Sequence, residues 1–394
     1  MKRIGIYGGT FNPPHAGHLS AVKQAAARLG LDKVLLIPAG IAPHKELPVG
    51  SPNPEQRLHM LRLAAEEDPV LEVSDMELTR LGTSYTYETV LELRKKNPEA
   101  ELMLLMGTDM FLSLENWKNP QVIFENADIG VMCRGEKGEK EAVARQMENL
   151  NSLGARVIPV ENEALAISST DIRRMLVFEC ADSFLHPAVA EYIRANGLYG
   201  VGNSYKNLPM AQLEQVVISL LKPDRVAHVL GCRDTAAEMA KRWGADEVDA
   251  ARAGLLHDIT KAIDGPLQLT LCGEYGTILS EFGQRHPKTL HALTGSLVAD
   301  RIFGENEAVV SAICHHTTGK GDMTTLEKII YVADYMEPCR NFPGVEKLRE
   351  LAFSDLDGAL RLGLEMTIEN LISRKLEISP ESREALDWLN EHEK

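Results

Sequence analysis

The stretch that most constrains this chain is Gly8-Gly9-Thr10-Phe11-Asn12-Pro13-Pro14-His15-Ala16-Gly17-His18, close to the N-terminus. The residues before it, Arg3 to Tyr7, are typical of a buried strand, and Ala16 to Leu29 has helical spacing. A strand, a glycine turn and a helix leave backbone N–H groups free at a helix N-terminus, where an anion is favoured. The stretch therefore predicts a phosphate site, with Gly8, Gly9, Thr10 and Phe11 as its backbone cradle.

Two histidines add side-chain donors to this turn. His15 and His18 are three residues apart, so they lie on one face once the helix has started and can grip the same polyphosphate. A glycine pair after a strand can also be only a tight turn. A histidine pair can bind a metal, but this segment supplies no third Cys, His or carboxylate ligand. The histidines therefore favour the phosphate site.

The composition restricts the class of protein. With 394 residues the chain is long enough for two domains, and its net charge of -15 argues against general nucleic-acid binding, which needs a basic face. The six cysteines form no C-x-x-C pair and indicate a reducing, cytosolic environment. No apolar run approaches the length of a membrane span. We expect a cytoplasmic protein that binds neither membranes nor nucleic-acid polymers, and its homo-oligomerisation stays open.

Strand and helix patterns alternate through the first half of the chain. After the first helix, strands are predicted at 33–37, 70–73, 102–106, 129–132 and 156–158, and helices at 54–67 and 85–96. Asn53 is the expected cap of the helix that begins at Pro54. This alternation predicts a Rossmann-like α/β fold with an open parallel sheet and ligands at the carboxyl ends of its strands.

A second candidate phosphate element is Ile167-Ser168-Ser169-Thr170-Asp171-Ile172-Arg173. Ser168, Ser169 and Thr170 are good helix N-caps whose hydroxyl and backbone groups can face a phosphate, with Arg173 one turn further on. Alone, such a serine and threonine run is explained as well by helix capping. Together with the histidine stretch it favours a phosphate.

These two stretches resemble the signatures of the nucleotidyltransferase superfamily with the His-x-Gly-His motif. Further features resemble bacterial nicotinate-mononucleotide adenylyltransferases over residues 1–198. Pro43-His44-Lys45 resembles their lysine-bearing loop, and Gly82-Thr83-Ser84-Tyr85-Thr86 resembles the loop that recognises the nicotinate carboxylate, which assigns roles to Lys45, Thr83 and Tyr85.

The same resemblance assigns three further residues. It implies that Asp109 lies near a ribose, Trp117 near the nicotinate ring and Arg134 close to the adenylate. Each has an ordinary alternative in the residues alone, since Asp109 can cap a helix and a lone Trp is commonly a half-buried anchor.

The implied reaction is attack by the mononucleotide's 5′-phosphate on the α-phosphorus of ATP, which gives deamido-NAD and pyrophosphate. Both reactants are anions, so the site has to align them and neutralise charge. His15, His18, Lys45 and Arg173 are the expected catalytic groups, with Mg²⁺ on the triphosphate. Nicotinamide mononucleotide, pantetheine phosphate or a cytidylyl-transfer substrate remain alternative reactants.

Gly and Asn residues at 199–209 predict a linker, and the remainder, 210–394, predicts an all-α domain. Apolar residues at three- and four-residue intervals predict helices at 210–221, 224–243, 246–256, 289–303, 305–315, 325–335 and 355–374. His and Asp residues lie at the faces and ends of these helices.

The second half resembles HD-domain phosphohydrolases from about residue 210 to residue 378. The strings Gly-Leu-Leu-His-Asp-Ile-Thr-Lys (254–261), His-Thr-Thr-Gly (316–319) and Tyr-Val-Ala-Asp-Tyr (331–335) resemble the symmetrical diadenosine tetraphosphate hydrolase branch. By this resemblance His228, His257, Asp258 and Asp334 hold one metal, and His291 and His316 complete a second. Mixed imidazole and carboxylate ligands suit iron or manganese, and two such metals can activate water toward phosphorus.

Alternatives remain for individual residues of this half. A His-Asp dipeptide alone is usually only a helix end, and Lys261 either binds substrate phosphate or offsets a helix dipole. His315 abuts His316 but is out of register with the motif, and His286 is expected in a solvated loop. The half as a whole either hydrolyses a diadenosine polyphosphate, giving ADP, or senses a nucleotide without cleaving it.

Overall fold

The computed structural model describes residues 2–41, 47–80, 82–133, 138–163, 165 and 167–392. It divides into two compact units, residues 1–203 and 204–394. The division falls within the segment 199–209 that the sequence predicts as a linker.

The first unit is an α/β domain. Its strands are β1 (Arg3–Gly9), β2 (Lys33–Pro38), β3 (Leu71–Val73), β4 (Glu101–Gly107), β5 (Asp128–Met132) and β6 (Val157–Val160). Its helices are α1 (Ala16–Leu29), α2 (Pro54–Ala65), α3 (Thr86–Lys96), α4 (Thr108–Phe111), α5 (Pro120–Asn126), α6 (Glu139–Ser152), α7 (Ser169–Val177) and α8 (Pro187–Ala195). The predicted Rossmann-like class is confirmed.

The described strands form one six-stranded sheet of order β3-β2-β1-β4-β5-β6. Every neighbouring pair is parallel. The first three strands extend the sheet from β1 in one direction, and the last three extend it from β1 in the other. The strand order therefore reverses between the neighbours β1 and β4. Parallel sheets bind ligands at such a switch point, beyond the carboxyl ends of the strands. The glycine turn after β1 and the Gly107-Thr108 turn after β4 both lie there.

The sheet is buried on both faces, as its continuous apolar runs predict. One core contains Ile4, Ile6, Leu104 and Ile129, and a second contains Val22, Leu36 and Leu105. These two cores hold the ends of β1 and β4 rigidly, so the turns that follow them start from fixed positions.

The second unit is helical. Its helices are α9 (Met210–Leu220), α10 (Val226–Trp243), α11 (Glu247–Leu256), α12 (Gly265–Glu274), α13 (Glu281–Arg285), α14 (His291–Val298), α15 (Glu307–His315), α16 (Thr325–Met336), α17 (Val345–Ser354), α18 (Leu356–Ser373) and α19 (Pro380–Glu391). Helix α10 packs against α11 and α16, and α15 packs against α14 and α16. The predicted all-α class is confirmed.

One predicted helix is wrong in its bounds. The sequence predicts a continuous helix over 289–303, but a 3₁₀ turn covers Pro287–Leu290, α14 runs from His291 to Val298, and a π-helical segment follows at Ala299–Phe303. Apolar spacing does not distinguish these helix types over such short runs. Among the described residues no helix is long and apolar enough to cross a membrane.

Candidate active sites

The histidine stretch forms a compact turn at the carboxyl end of β1. Phe11 adopts a left-handed φ of 46° and is buried, and His15 is the N-cap of α1. The rings of His15 and His18 lie 3.7 Å apart between centroids, so the two imidazoles act as one unit at the start of the helix. The predicted shared face for these histidines is present.

Gly17 lies in close contact with the His15 ring and with Ile167. A Cβ atom added at Gly17 would lie 3.0 Å from Nδ1 and 3.1 Å from Cε1 of His15, and 3.1 Å from Cγ2 of Ile167. These separations are too short for an unperturbed methyl group. Glycine therefore allows the His15 ring to pack flat on the first turn of α1.

Side chains that are distant in sequence hold the backbone of this turn. Arg57 of α2 is 1 % exposed and donates to the carbonyl of Thr10 at 2.8 Å and to that of Ala39 at 2.8 Å. Burial lowers the pKa of Arg57. The guanidinium of Arg57 thus links the turn after β1 to the turn after β2.

A second set of contacts fixes Asn12. Arg173 donates to the Asn12 carbonyl at 2.8 Å, and the hydroxyl of Tyr199 donates to Asn12 Oδ1 at 2.8 Å. Ser169 Oγ donates to the carbonyl of Pro13 at 3.0 Å. The second signature is therefore fastened directly to the first, and Tyr199 belongs to this unit although the sequence predicts it in the linker.

The N-terminus of α7 is capped as the sequence predicts. Ser168 and Asp171 form a reciprocal capping box, and Thr170 Oγ1 accepts from Arg173 at 2.9 Å. The hydroxyl groups of Ser168, Ser169 and Thr170 thus have partners within the protein. Their predicted contact with a phosphate stays a prediction.

The residues expected at the acceptor lie around the ends of β4 and α3. Asp109 is exposed within α4, whose N-cap is Gly107, so the alternative that Asp109 caps this helix is wrong. Trp117 is half-buried against the core and its Nε1 donates to Ser113 Oγ at 3.2 Å. This position is compatible both with contact to a nicotinate ring and with a half-buried anchor, the two roles considered for Trp117.

The loop 82–86, which the sequence predicts to recognise the nicotinate carboxylate, contacts neighbouring segments. Thr83 forms a parallel bridge with Ile41, and Tyr85 is the N-cap of α3. The ammonium group of Lys118, which the sequence does not single out, lies 3.9 Å from the centre of the Tyr85 ring. Lys45 and Arg134 lie outside the described residues.

The second unit brings all six predicted metal-binding residues together around Asp258. Asp258 Oδ2 lies 3.6 Å from His228 Nε2 and 3.5 Å from His257 Nε2. Its other oxygen, Oδ1, lies 3.5 Å from His291 Nε2 and 3.7 Å from His316 Nε2. The carboxylate therefore faces two separate pairs of imidazoles.

Asp334 belongs to the first of these pairs. Its Oδ1 is 3.2 Å from His228 Nε2 and 3.8 Å from His257 Nε2. Nitrogen and oxygen donors at these separations fit a divalent cation, and these residues would be the ones to hold it. Among the described residues, the groups of three or more donors with this spacing all lie in this unit.

Outer contacts determine which ring nitrogen faces the cluster. Three Nδ1 atoms lie against backbone carbonyls: His257 on Gly254 at 2.7 Å, His291 on Lys288 at 3.0 Å and His316 on Ile313 at 2.7 Å. A carbonyl only accepts, so each Nδ1 carries a proton and Nε2 is the ring nitrogen that faces the cluster. Burial lowers the pKa of His257 to about 4 and that of His291 to about 3, which keeps both rings neutral near pH 7.

Glu337 orients the fourth ring. It is 1 % exposed, and its Oε1 lies 3.0 Å from His228 Nδ1. A carboxylate behind an imidazole fixes the ring and raises its basicity as a metal ligand. Sequence reasoning missed Glu337, which follows the last residue of α16 as its C-cap, three residues after Asp334.

Two arginines contact the carboxylates of the cluster. Arg225 donates to Asp258 Oδ2 at 2.7 Å, and Arg340 donates to the Asp334 carboxylate and to its carbonyl, the latter at 2.8 Å. Sequence reasoning missed both, although Arg225 precedes His228 by three residues.

Lys261 adds a third cation. Its Nζ lies 2.8 Å from His291 Nε2 and 3.8 Å from Asp258 Oδ1. This position against the cluster does not match the alternative of a simple helix-dipole cation.

His315 lies apart from the cluster. Its Nδ1 is 2.8 Å from the Ser311 carbonyl and 3.4 Å from Glu327 Oε1, and Lys320 Nζ is 2.9 Å from the same carboxylate oxygen. The geometry supports leaving His315 out of the metal ligands. His286 pairs with Glu377 at 2.8 Å at the end of α13.

Comparison with known families places both halves. Residues 6–175 match the Cytidylyltransferase-like family, and residues 225–339 match the HD domain family. The chain is 38% identical over 205 residues to the probable nicotinate-nucleotide adenylyltransferase of Neisseria meningitidis, an alignment of 50% of this chain and 99% of the relative. The chain belongs to the nicotinate-nucleotide adenylyltransferase family. It also carries an HD domain, and it is an enzyme with a nucleotidyltransferase half.

Other relatives have the same extent. A probable nicotinate-nucleotide adenylyltransferase of Lachnoclostridium phytofermentans is 34% identical over 200 residues, which cover 50% of this chain and 100% of the relative. Among solved structures, a predicted HD superfamily hydrolase involved in NAD metabolism from Clostridium acetobutylicum is 35% identical, covering 47% of this chain and 99% of that one with a TM-score of 0.46. The nicotinic acid mononucleotide adenylyltransferase of Plasmodium falciparum, complexed with APC, is 16% identical with a TM-score of 0.43, covering 51% of this chain and 99% of that one.

Proposed function

We propose that the first unit transfers an adenylyl group from ATP to nicotinate mononucleotide and releases pyrophosphate. The observation that carries this proposal is the packed pair His15 and His18 at the sheet's switch point, in a chain that belongs to this family. The α-phosphorus gains a bond to the mononucleotide's phosphate oxygen as its bond to pyrophosphate breaks. Since the attacking oxygen is already deprotonated at neutral pH, no general base is required.

The residues act by position and charge. His15, His18 and Arg173 neutralise charge that grows on the phosphate oxygens, and Lys45 is proposed to contribute from its loop. The contacts of Arg57 and Tyr199 hold the turn in place before substrate binds, so little reorganisation is needed at the reacting centre. A Mg²⁺ ion bound to the triphosphate would supply further positive charge.

The acceptor is proposed to lie between the turn after β4 and the nicotinate loop. Trp117 offers a ring for the pyridine to pack on, Thr83 and Tyr85 recognise the carboxylate, Asp109 contacts a ribose, and Arg134 is proposed near the adenylate. The half-buried Trp117 and the bridged Thr83 support this placement.

The test of the transferase is product analysis with ATP and each acceptor in turn. We expect deamido-NAD from nicotinate mononucleotide, and far less product from nicotinamide mononucleotide or pantetheine phosphate. His18→Ala should lower kcat on the order of a hundredfold and leave the mononucleotide KM nearly unchanged, because the ring acts on charge in the transition state. The exposed His59 is a matched control in His59→Ala. A variant with only a raised KM would contradict the role of His18.

We propose further that the second unit hydrolyses a diadenosine polyphosphate. One water adds to phosphorus as a bridging P–O bond breaks, and symmetrical cleavage of diadenosine tetraphosphate gives two ADP. Two divalent cations, proposed to be iron or manganese, would supply Lewis acidity and an activated water when bound at His228, His257, Asp258, Asp334, His291 and His316. The proposal rests on the grouping of four histidines and Asp334 around Asp258.

The cations of the protein hold the substrate in this scheme. Arg225, Lys261 and Arg340 each contact a carboxylate or imidazole of the cluster, where they can turn toward a phosphate chain as the metals take up the ligand atoms. Guanidinium groups suit this because they bind phosphate oxygens in pairs.

Metal analysis and ADP release from diadenosine tetraphosphate test the second activity. We expect bound metal and hydrolysis in the wild type, and the loss of both in Asp258→Ala. The exposed Asp357 provides a control in Asp357→Ala. Bound metal without hydrolysis would favour the alternative, a nucleotide sensor.

A further inference from the structure

A groove of about 610 Å³ opens beside the metal-ligand cluster of the second unit. Its walls include the apolar side chains Tyr335, Phe342 and Met366 and the polar side chains Arg340, Glu369 and Asn370. The proposed metal chemistry uses only Arg340 from this set. A volume of this size is in the range of pockets for small organic ligands.

Two residues connect the groove to the cluster. Tyr335 follows the ligand Asp334 on α16, and Arg340 both lines the groove and donates to the carboxylate of Asp334. The guanidinium is about one third exposed. Arg340 therefore lies between the groove and the metal ligands. The first phosphate of a nucleotide bound in the groove would lie beside this guanidinium.

The aromatic wall is held in place. The rings of Tyr335 and Phe342 meet edge to face with centroids 5.6 Å apart, and Thr367 Oγ1 donates to the Tyr335 hydroxyl at 2.8 Å. Tyr331 stacks in parallel on the other side of Tyr335, with centroids 6.2 Å apart. The planes of Tyr335 and Phe342 lie at 80° to each other, so an aromatic base can stack on the face of one ring and meet the other ring at its edge.

The segment that carries Arg340 and Phe342 is also fixed. Arg349 of α17 donates to the carbonyl of Met336 at 2.9 Å, to that of Glu337 at 3.0 Å and to that of Arg340 at 2.9 Å. One guanidinium thereby fixes the segment between α16 and α17, so the groove is formed before any ligand enters.

The opposite wall can recognise the edge of a base. Asn370 offers both donors and an acceptor, and Glu369 offers acceptors, along the exposed face of α18. A purine edge presents the complementary mixture of amino and ring-nitrogen groups. Inorganic polyphosphate has no group for either this wall or the aromatic wall.

We propose that this groove binds the nucleoside end of the second unit's substrate, a purine nucleoside polyphosphate. The base packs on Tyr335 and Phe342, Asn370 and Glu369 read its edge, and the phosphate chain passes Arg340 to the cluster. The proposal rests on the hydrolase function proposed above and adds the subsite that makes it selective for nucleotides.

Photolabelling tests where the base binds without depending on turnover. The full-length, manganese-loaded protein is irradiated with 8-azido-ADP, and labelled peptides are located by mass spectrometry. We expect label on peptides that contain Phe342 or Asn370, lost in Phe342→Ala and retained in Phe342→Tyr. Ile372→Ala, an exposed change on the same helix, is the control for helix α18. Label confined to residues before 204 would overturn the subsite.

Kinetics give the second measurement. Phe342→Ala should raise the KM for diadenosine tetraphosphate on the order of tenfold, the usual effect of losing a base-stacking ring. Hydrolysis of p-nitrophenyl phosphate, which has no base, should change little. An unchanged KM beside wild-type hydrolysis would overturn the subsite alone. Label in the groove with no hydrolysis by the wild type would overturn the proposed reaction and support the subsite.

Discussion

Single residues determine how the two sites are built, and Gly17 is the clearest case. Its lack of a Cβ lets the His15 ring pack at 3.0 Å from where that atom would lie. The His-x-Gly-His spacing is therefore a steric requirement, in addition to a chemical signature. The sequence displays the glycine, but the contact it permits is visible only in three dimensions.

Gly17→Ala should reduce adenylyl transfer on the order of tenfold or more, because the new methyl group displaces the His15 ring from its place beside His18. Turnover with ATP and nicotinate mononucleotide is the measurement. Gly273→Ala is a matched control, since that glycine lies in α12 with open space around the added Cβ. Equal kcat in the Gly17 variant and the wild type would contradict the steric argument.

Glu337 plays a comparable role behind His228. Glu337→Gln keeps the shape of the side chain but removes its charge, so we expect metal affinity to fall roughly ten- to a hundredfold. Competition with a chelator of known affinity measures this change. The exposed Glu365 serves as the control in Glu365→Gln, which should leave metal affinity unchanged. Unchanged metal affinity in the Glu337 variant would contradict the role of Glu337 in orienting His228.

At the scale of secondary-structure elements, most long periodic segments are predicted within one or two residues. Helix α1 has the predicted bounds, and α2 begins at Pro54 behind an Asn53 capping box. Strand β6 is predicted to stop before Pro159 but continues to Val160. It does so because β6 is an edge strand, where the missing N–H of proline faces away from its only neighbour.

Several elements escape prediction from the sequence. Helices α6, α12, α17 and α19 have no assignment in the sequence analysis, although each is regular in the structure. Charged residues make up more than a third of α6, α17 and α19, and each helix packs on a surface that other elements supply. Tertiary packing selects these helices.

Glu327 lies in the first turn of α16 and is buried. It forms a reciprocal capping box with Thr324, the N-cap of this helix. It also connects α16 to the end of α15. Burial alone would raise the pKa of Glu327, but hydrogen bonds from His315, Ser311 and Lys320 hold that pKa well below its usual range. The carboxylate therefore stabilises the fold at neutral pH.

Because the folded pKa of Glu327 lies below the unfolded value of about 4.3, its contribution is fully present above the unfolded value and is lost as the pH falls from there through the folded pKa. Glu327→Gln should lower the free energy of unfolding by roughly 1–3 kcal/mol near neutral pH. The difference from the wild type should shrink on acidification below about pH 5. Urea titrations across this range measure it, and a difference independent of pH would contradict the assignment.

For the whole molecule, the chain joins two units with separate chemistry. The first places its turns at the end of a parallel sheet, and the second gathers donors from α10, α14 and α16 and from the residues that follow α11 and α15. Each unit has its own buried interior. Removal of metal should therefore change the stability of the second unit alone.

We expect a chelator to lower the unfolding temperature of the metal-binding unit and to leave adenylyl transfer, assayed with Mg²⁺ restored, unchanged. A ligand that binds only the folded state at a hundred times its Kd stabilises by about 2.7 kcal/mol. Differential scanning calorimetry with and without chelator measures the shift, and Asp258→Ala should show none. An equal shift in that variant would mean that the chelator acts elsewhere.

The sequence by itself determined the two fold classes, the switch from strands to helices near residue 200, and the residue types of both sites. Periodicity and short motifs are local, so they are legible without coordinates. Only the tertiary structure decided that Asp258 faces two pairs of imidazoles, that Arg57, Arg173 and Tyr199 hold the histidine turn, and that a groove adjoins Asp334. Such contacts join residues far apart in sequence, and their distances follow from packing that no local pattern encodes.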